Sequence, residues 1–175
     1  MEMGSAYKIL GEVDISDFTE FVDINNPTWP DKKDDLRSSR YISHIASRSI
    51  IFRWTERVGV WPEIHPYDYD IWHTKKEAIE KICSFASDKP PLNFMIAGLE
   101  PKSKIGRHYD AHPFFAWARR IHIPLNVPEG IQFIIDGMGV PLKAGTMFEI
   151  SNTRYHEVIN PSNEYRYHII MDFPP

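Results

Sequence analysis

Arg119-Arg120-Ile121-His122-Ile123-Pro124-Leu125-Asn126-Val127 alternates along its length. Ile121, Ile123 and Leu125 fall on one parity, and Arg120, His122 and Pro124 on the other. That is the period of a strand, whose successive side chains point to opposite faces. The apolar face belongs to a core; the other carries a guanidinium and an imidazole, either solvated or turned into a polar cavity. Leu92 to Leu99, Ile131 to Asp136, Thr146 to Ile150, Arg154 to Ile159 and Tyr165 to Phe173 read as strands in the same way. Pro128-Glu129-Gly130, Asp136-Gly137, Ala144-Gly145 and Asn160-Pro161-Ser162-Asn163 separate them as turns. Short strands at this spacing predict a mainly β fold, a double-sheet jelly roll rather than a parallel α/β sheet.

Upstream the period is helical in one place. Ala78, Ile79, Ile82, Cys83 and Ala86 form one apolar stripe, and Thr74 with Glu77 predicts a capping box at its start. Pro90 and Pro91 end it. Cys83 lies in the stripe and reads as a small core residue. Ile15 to Val22 predicts a short helix with Asp14 as N-cap, Ile24 to Asp34 a loop, and Ser49 to Trp54 a strand. Between Trp61 and Trp72, Pro62 and Pro66 break the chain into a loop. The expected organisation is a single domain over residues 1–175. In it, residues 1–90 form a helical and loop region with flanking strands, one or a few helices packing on one sheet, and residues 91–175 form the β core.

The bulk composition agrees with a soluble domain. Hydrophobic residues are 42% and charged residues 25% of 175, and the net charge of −4 gives nucleic acid no purchase. Arg37, Arg40 and Arg48 read as solvated surface rather than a phosphate-binding stripe. The lone Cys83 makes no internal disulfide, and no apolar run reaches the ~20 residues needed to cross a bilayer. The expectation is a soluble, cytoplasmic protein with no membrane partner.

His108-Tyr109-Asp110 and His156 carry the chemistry. In extended backbone His108 and Asp110 point to one face and can share an ion. A histidine from another strand completes a two-histidine, one-carboxylate triad, the set that leaves open positions in non-haem iron(II) oxygenases. His-x-Asp alone is a weak signal among eight histidines. His108 and His112 also have helical spacing, but Pro113 follows directly and no zinc-protease glutamate stands between them. His44, His65 and His73 lack partner spacing and read as structural or surface residues. Arg154 to Ile159 and Tyr165 to Phe173 predict a hairpin about Ser162. His156 then lies opposite His168 and diagonal to Arg166, roughly 7–8 Å away. An arginine there suits the far carboxylate of a metal-bound ligand. Arg120 and His122, if they face the cavity, suit a carboxylate nearer the metal.

These segments resemble the aspartyl/asparaginyl β-hydroxylase family. The resemblance rests on Ile105 to Asp110, Arg120 to Leu125, the Gly145 turn, and His156 through Asn160 to Arg166 and Asp172, in the right order. It implies a cupin-like double-stranded β-helix using iron(II), 2-oxoglutarate and dioxygen. By resemblance His108 and His156 bind iron, with Asp110 as third ligand where some animal members have glycine. Arg166 anchors the distal 2-oxoglutarate carboxylate, and Arg120 and His122 match positions near the metal-side carboxylate. A family serine that assists 2-oxoglutarate falls near Ala97, so that hydrogen bond is missing or comes from another residue. The implied reaction is hydroxylation of an unactivated C–H bond in an aspartyl or asparaginyl residue or a related small molecule. Arg119, Arg154 and Lys143 are candidates for a substrate carboxylate, and Phe114, Phe115 and Trp117 for the entrance; taken singly, each reads more simply as ordinary surface or core. Two other readings stay open: a cupin-like metalloenzyme without 2-oxoglutarate, and a non-catalytic jelly-roll binding module.

Overall fold

The computed structural model describes residues 5–35, 44–56 and 63–175. Arg37, Arg40, Trp61 and Pro62 lie outside the described residues. Eleven strands follow in chain order: β1 (Tyr7–Glu12), β2 (Ser47–Trp54), β3 (Tyr67–Asp68), β4 (Asn93–Leu99), β5 (Ser103–His108), β6 (Arg119–Pro124), β7 (Gln132–Ile135), β8 (Met138–Gly139), β9 (Thr146–Ile150), β10 (His156–Asn160) and β11 (Arg166–Phe173). They pair antiparallel in two sheets, a seven-stranded one in the order β1-β9-β6-β11-β4-β2-β3 and a four-stranded one in the order β5-β10-β7-β8. The protein is a mainly β, cupin-like jelly roll with few helices, as the alternation predicts. No described helix is long and apolar enough to cross a membrane.

The seven-stranded sheet is covered on both faces. Its central strands β4 and β11 are buried at every position; β4 reads as a nearly continuous apolar run, while β11 alternates Arg166, His168 and Asp172 with apolar residues. Ile50, Phe52, Phe94, Ile96, Ile121, Ile123, Ile169, Met171 and Phe173 face outward into one cluster. Phe18 and Phe21 of a 3₁₀ helix (Ser16–Phe21) close it, together with Trp72 of α1 (Asp70–Thr74) and Ile79, Ile82 and Cys83 of α2 (Lys76–Ser84). Burial pushes the Cys83 thiol up to about 12, consistent with an inert core residue. The other face looks toward the small sheet, where Leu99, Phe133, Ile135, Phe148, Ile150 and Val158 fill one end of the gap. Arg120, His122, Arg166, His168 and Asp172 are buried on that same inner side.

Several expectations are corrected. The capping box does not form. The helical stretch is two helices, and Thr74 ends the first, its hydroxyl donating to the Ile71 carbonyl at 2.9 Å. Lys75 leaves helical geometry (φ −114°, ψ 12°) because Trp72 is drawn inward, with Arg53 stacked on it at 3.8 Å. Asp14 does accept from the Ser16 N–H at 3.0 Å, but at the head of a 3₁₀ turn. Arg48 is half-buried rather than solvated. The hairpin about Ser162 is also absent. β10 pairs with β5 and β7, while β11 pairs with β4 and β6. The Asn160 side chain makes the corner between sheets, its amide donating to the carbonyls of Leu99, Glu100 and Glu164. His156 therefore lies opposite His108 and Ile135, and Arg166 opposite Leu99.

The Gly145 turn ties two strands to the sheet edge. Its N–H donates to Pro124 and its carbonyl accepts from Val13, both at 2.9 Å. Its φ is +79°, and a Cβ there would lie 2.9 Å from the Val13 carbonyl oxygen. Gly145→Ala is expected to lose about 1–2 kcal/mol from the left-handed backbone alone, and more from the clash, in urea unfolding. Burial, with the Arg166 and His122 charges, holds the fully enclosed His168 well below 6.5. The unfolded chain then binds a proton that the folded chain refuses. Stability is therefore complete above about pH 6.5 and falls as pH drops toward the depressed value, by up to about 1.4 kcal/mol per pH unit. Thermal melts at pH 7.5 and 5.5 check this; equal melting temperatures contradict a buried neutral imidazole.

Candidate metal centre

β5 and β10 bring the predicted triad together. His108 ends β5, His156 begins β10, and the two are register partners with ring centroids 4.4 Å apart. A register shift between His156 and Val158 lies directly beside them, a bulge that re-aims side chains at a strand end. Asp110 follows His108 by two residues, and the exposed Tyr109 between them points away. One ligand atom each from His108, Asp110 and His156 lies within 4.8 Å of the others.

Both imidazoles are held in the tautomer a metal needs. His108 Nδ1 meets the Gly106 carbonyl at 2.7 Å, and His156 Nδ1 meets the Arg154 carbonyl at 3.0 Å. A carbonyl only accepts, so each Nδ1 carries the proton and each Nε2 presents its lone pair. Burial pulls His156 below its ordinary value against the attraction of Asp110, which keeps the ring neutral. Asp110 is positioned by its N–H donating to the Asn152 carbonyl at 3.0 Å, and its carboxylate accepts from Arg120 Nη1 at 2.8 Å. These donors, at one mouth of a cleft and with outer partners already in place, fit a divalent metal.

Arg120 has a second engagement. Its Nε and Nη2 fork onto Asp172 at 2.7 and 2.9 Å, and the Asn93 amide donates to the same carboxylate at 2.8 Å. Burial opposes the charge on Arg120, yet Asp172 and Asp110 outweigh it and raise its value. The guanidinium also stacks on Phe115, 4.3 Å from the ring centre.

The cleft measures about 530 Å³ out to its mouth and is lined by the triad, Arg120, His122 and Arg166, with Ala97, Ile105, Phe133 and Val158 among its walls. The six residues read from the sequence as metal or cosubstrate residues thus line one cavity. Arg166 and His156 reach it from opposite sheets rather than from neighbouring strands. Arg166 is 3% exposed, its Nη2 donates to His168 Nδ1 at 2.7 Å, and it lies 5.8 Å from the Phe133 ring centre. His122 stacks on Phe148 at 5.6 Å.

His44 departs from the surface role expected of it. It lines the cleft with its ring 6.0 Å from that of His108, and Ser47 lines it too. No period surrounds His44, so only tertiary structure places it there. His65 and His73 are exposed, and His112 accepts from the Phe114 N–H at the head of α3 (Phe114–Trp117). The candidate substrate residues are otherwise employed. Arg119 forks onto Glu149, Arg154 pairs with Asp136, and Lys143 pairs with Glu12. Phe114 and Phe115 pack with Ile64, Leu92 and Trp117 in a small core.

No curated protein matches the chain. Among solved structures, an oxidoreductase of the 2OG-Fe(II) oxygenase family from Burkholderia pseudomallei is similar at TM-score 0.54 and 16% identity, over 75% of this chain and 69% of that one. A predicted oxalate decarboxylase from Thermotoga maritima is similar at TM-score 0.41 and 16% identity, over 74% and 81%. A cupin domain from Bordetella pertussis gives 0.38 and 14%, over 51% and 88%. At 16% identity, the likeness to the first of these speaks to the fold alone. The family model for aspartyl/asparaginyl beta-hydroxylase matches residues 18–175, and the chain belongs to that family.

Proposed function

We propose that this chain is a single-domain iron(II)- and 2-oxoglutarate-dependent dioxygenase. It hydroxylates an unactivated C–H bond, most simply the β-carbon of an aspartyl or asparaginyl residue or of a related small molecule. One observation carries the reading. Two histidines locked with Nε2 outward and one carboxylate converge within 4.8 Å, across a cleft from a buried arginine. His108, Asp110 and His156 would hold the metal and leave open positions. Iron in this setting supplies the oxidation of a C–H bond by dioxygen, coupled to conversion of 2-oxoglutarate to succinate and carbon dioxide.

The protein's own residues bind and orient. Arg166 receives the carboxylate remote from the metal, for which a guanidinium is the best-matched cation. Arg120 holds the Asp110 carboxylate from behind, and His122 faces the metal-side end of the ligand. Phe133, Ile105 and Val158 exclude water from the walls, which strengthens each polar contact inside. His44 stands at the histidine side of the cleft, where a substrate enters.

An anaerobic titration of apo-protein with iron(II) and then 2-oxoglutarate is expected to give a visible metal-to-ligand charge-transfer band only with both present, and none in His108→Ala. Iron binding without a band removes 2-oxoglutarate from the reading; absence of metal binding removes the oxygenase. Arg166→Ala is expected to weaken 2-oxoglutarate by about 30-fold or more, the usual loss when one partner of a buried charge pair is truncated. Unchanged affinity takes Arg166 out of the mechanism.

A further inference from the structure

Ser49 on β2, Ala97 on β4, His168 on β11 and Pro124 on β6 are register partners, a row running across the seven-stranded sheet. Register partners share a face. The adjacent row on that face, Ser47, Leu99 and Arg166, lines the cleft, and so does Ala97 itself. Ser49 and His168 thus flank Ala97 from the two neighbouring strands, behind the cleft wall at 3% and 0% exposure, and His168 touches the Arg166 guanidinium.

Two polar atoms of this row make no hydrogen bond among the described residues: Ser49 Oγ and His168 Nε2. Their chemistry is fixed by what surrounds them. Arg166 Nη2 only donates, so His168 Nδ1 accepts and the imidazole proton sits on Nε2. The ring is neutral and offers one N–H. Ser49 offers one O–H, while its backbone N–H is taken by the Asp35 carboxylate. Ala97 between them contributes only a methyl group. Two buried donors without acceptors, one of them beside a guanidinium, make a seat that the two oxygens of a carboxylate would complete.

We propose that Ser49 and His168 complete the seat for the far carboxylate of the 2-oxo acid. Ser49 Oγ–H and His168 Nε2–H each donate to it, and His168 Nδ1 fixes the plane of the Arg166 guanidinium. This rests on the cosubstrate reading given above. It assigns selection of a five-carbon diacid over a shorter 2-oxo acid to three side chains on β2 and β11.

The test compares wild type, Ser49→Ala and His168→Leu, each loaded anaerobically with iron(II). Each is titrated with 2-oxoglutarate and, separately, with pyruvate, which keeps the chelating end and lacks the far carboxylate. Both variants are expected to lose about tenfold or more in 2-oxoglutarate affinity, the ordinary worth of a hydrogen bond to a charged group. Their pyruvate affinity should match wild type. Unchanged 2-oxoglutarate affinity overturns the proposal, and so does an equal loss for both acids, which places the residues at the metal end or in the fold. A wild type without any band fails at the cosubstrate itself, a different result from a wild type that binds 2-oxoglutarate as its variants do. If His168→Leu does not fold, Ser49→Ala carries the test.

Discussion

Arg120 projects from β6 into the space between the sheets, where a lone guanidinium would be untenable. Asp172 on the next strand takes two of its N–H groups and Asp110 takes another, so one cation answers a buried and a half-buried carboxylate. Removing Arg120 leaves both carboxylates without their cation, a loss of about 3–5 kcal/mol in comparable buried pairs. The network does not stop there. Asn93 binds Asp172 with its amide and the Thr55 N–H with its carbonyl, joining β11 to β4 and to the end of β2. The Asp110 carboxylate, the acidic member of the candidate metal centre, is thereby tied to the middle of the large sheet.

This explains how a site split between two sheets keeps its shape. His108 and His156 ride on the small sheet and are oriented by their own backbone two residues back. Arg166 rides on the large sheet and is oriented by His168. Asp110 belongs to the first group by sequence and to the second through Arg120. It is the member that couples them.

Much of this was legible in residue order, and what failed did so for a definable reason. Parity assigns a side chain to a face, and along β6 it holds: Ile121 and Ile123 face the helices, Arg120 and His122 the cleft. Parity does not name the neighbouring strand. His156 and Arg166 were placed as a hairpin because a turn-like tetrapeptide joins them. Asn160 instead spends its amide on three carbonyls at a corner, and that use of an asparagine leaves no periodic trace. The Thr74 capping box failed similarly, because the burial of Trp72 decides where the helix begins. His44 sits in irregular chain, and β1 pairs with β9 from the far end of the sequence. Contacts of that range follow from the closed fold rather than from any local window.

The corner at Asn160 has a consequence beyond topology. By sending β10 and β11 into opposite layers, it makes anything that touches both His156 and Arg166 a strut across the sandwich. The spacing of the layers then works as a gauge: it measures the length of the molecule that bridges them. That spacing is held by Phe133, Phe148 and Leu99, packed between the sheets, with Phe133 and Leu99 also forming cleft wall. By holding the layers apart, those apolar side chains set the reach demanded of anything that bridges them. Trimming the core there would change that reach, and with it the packing of His122 and Arg166 against Phe133.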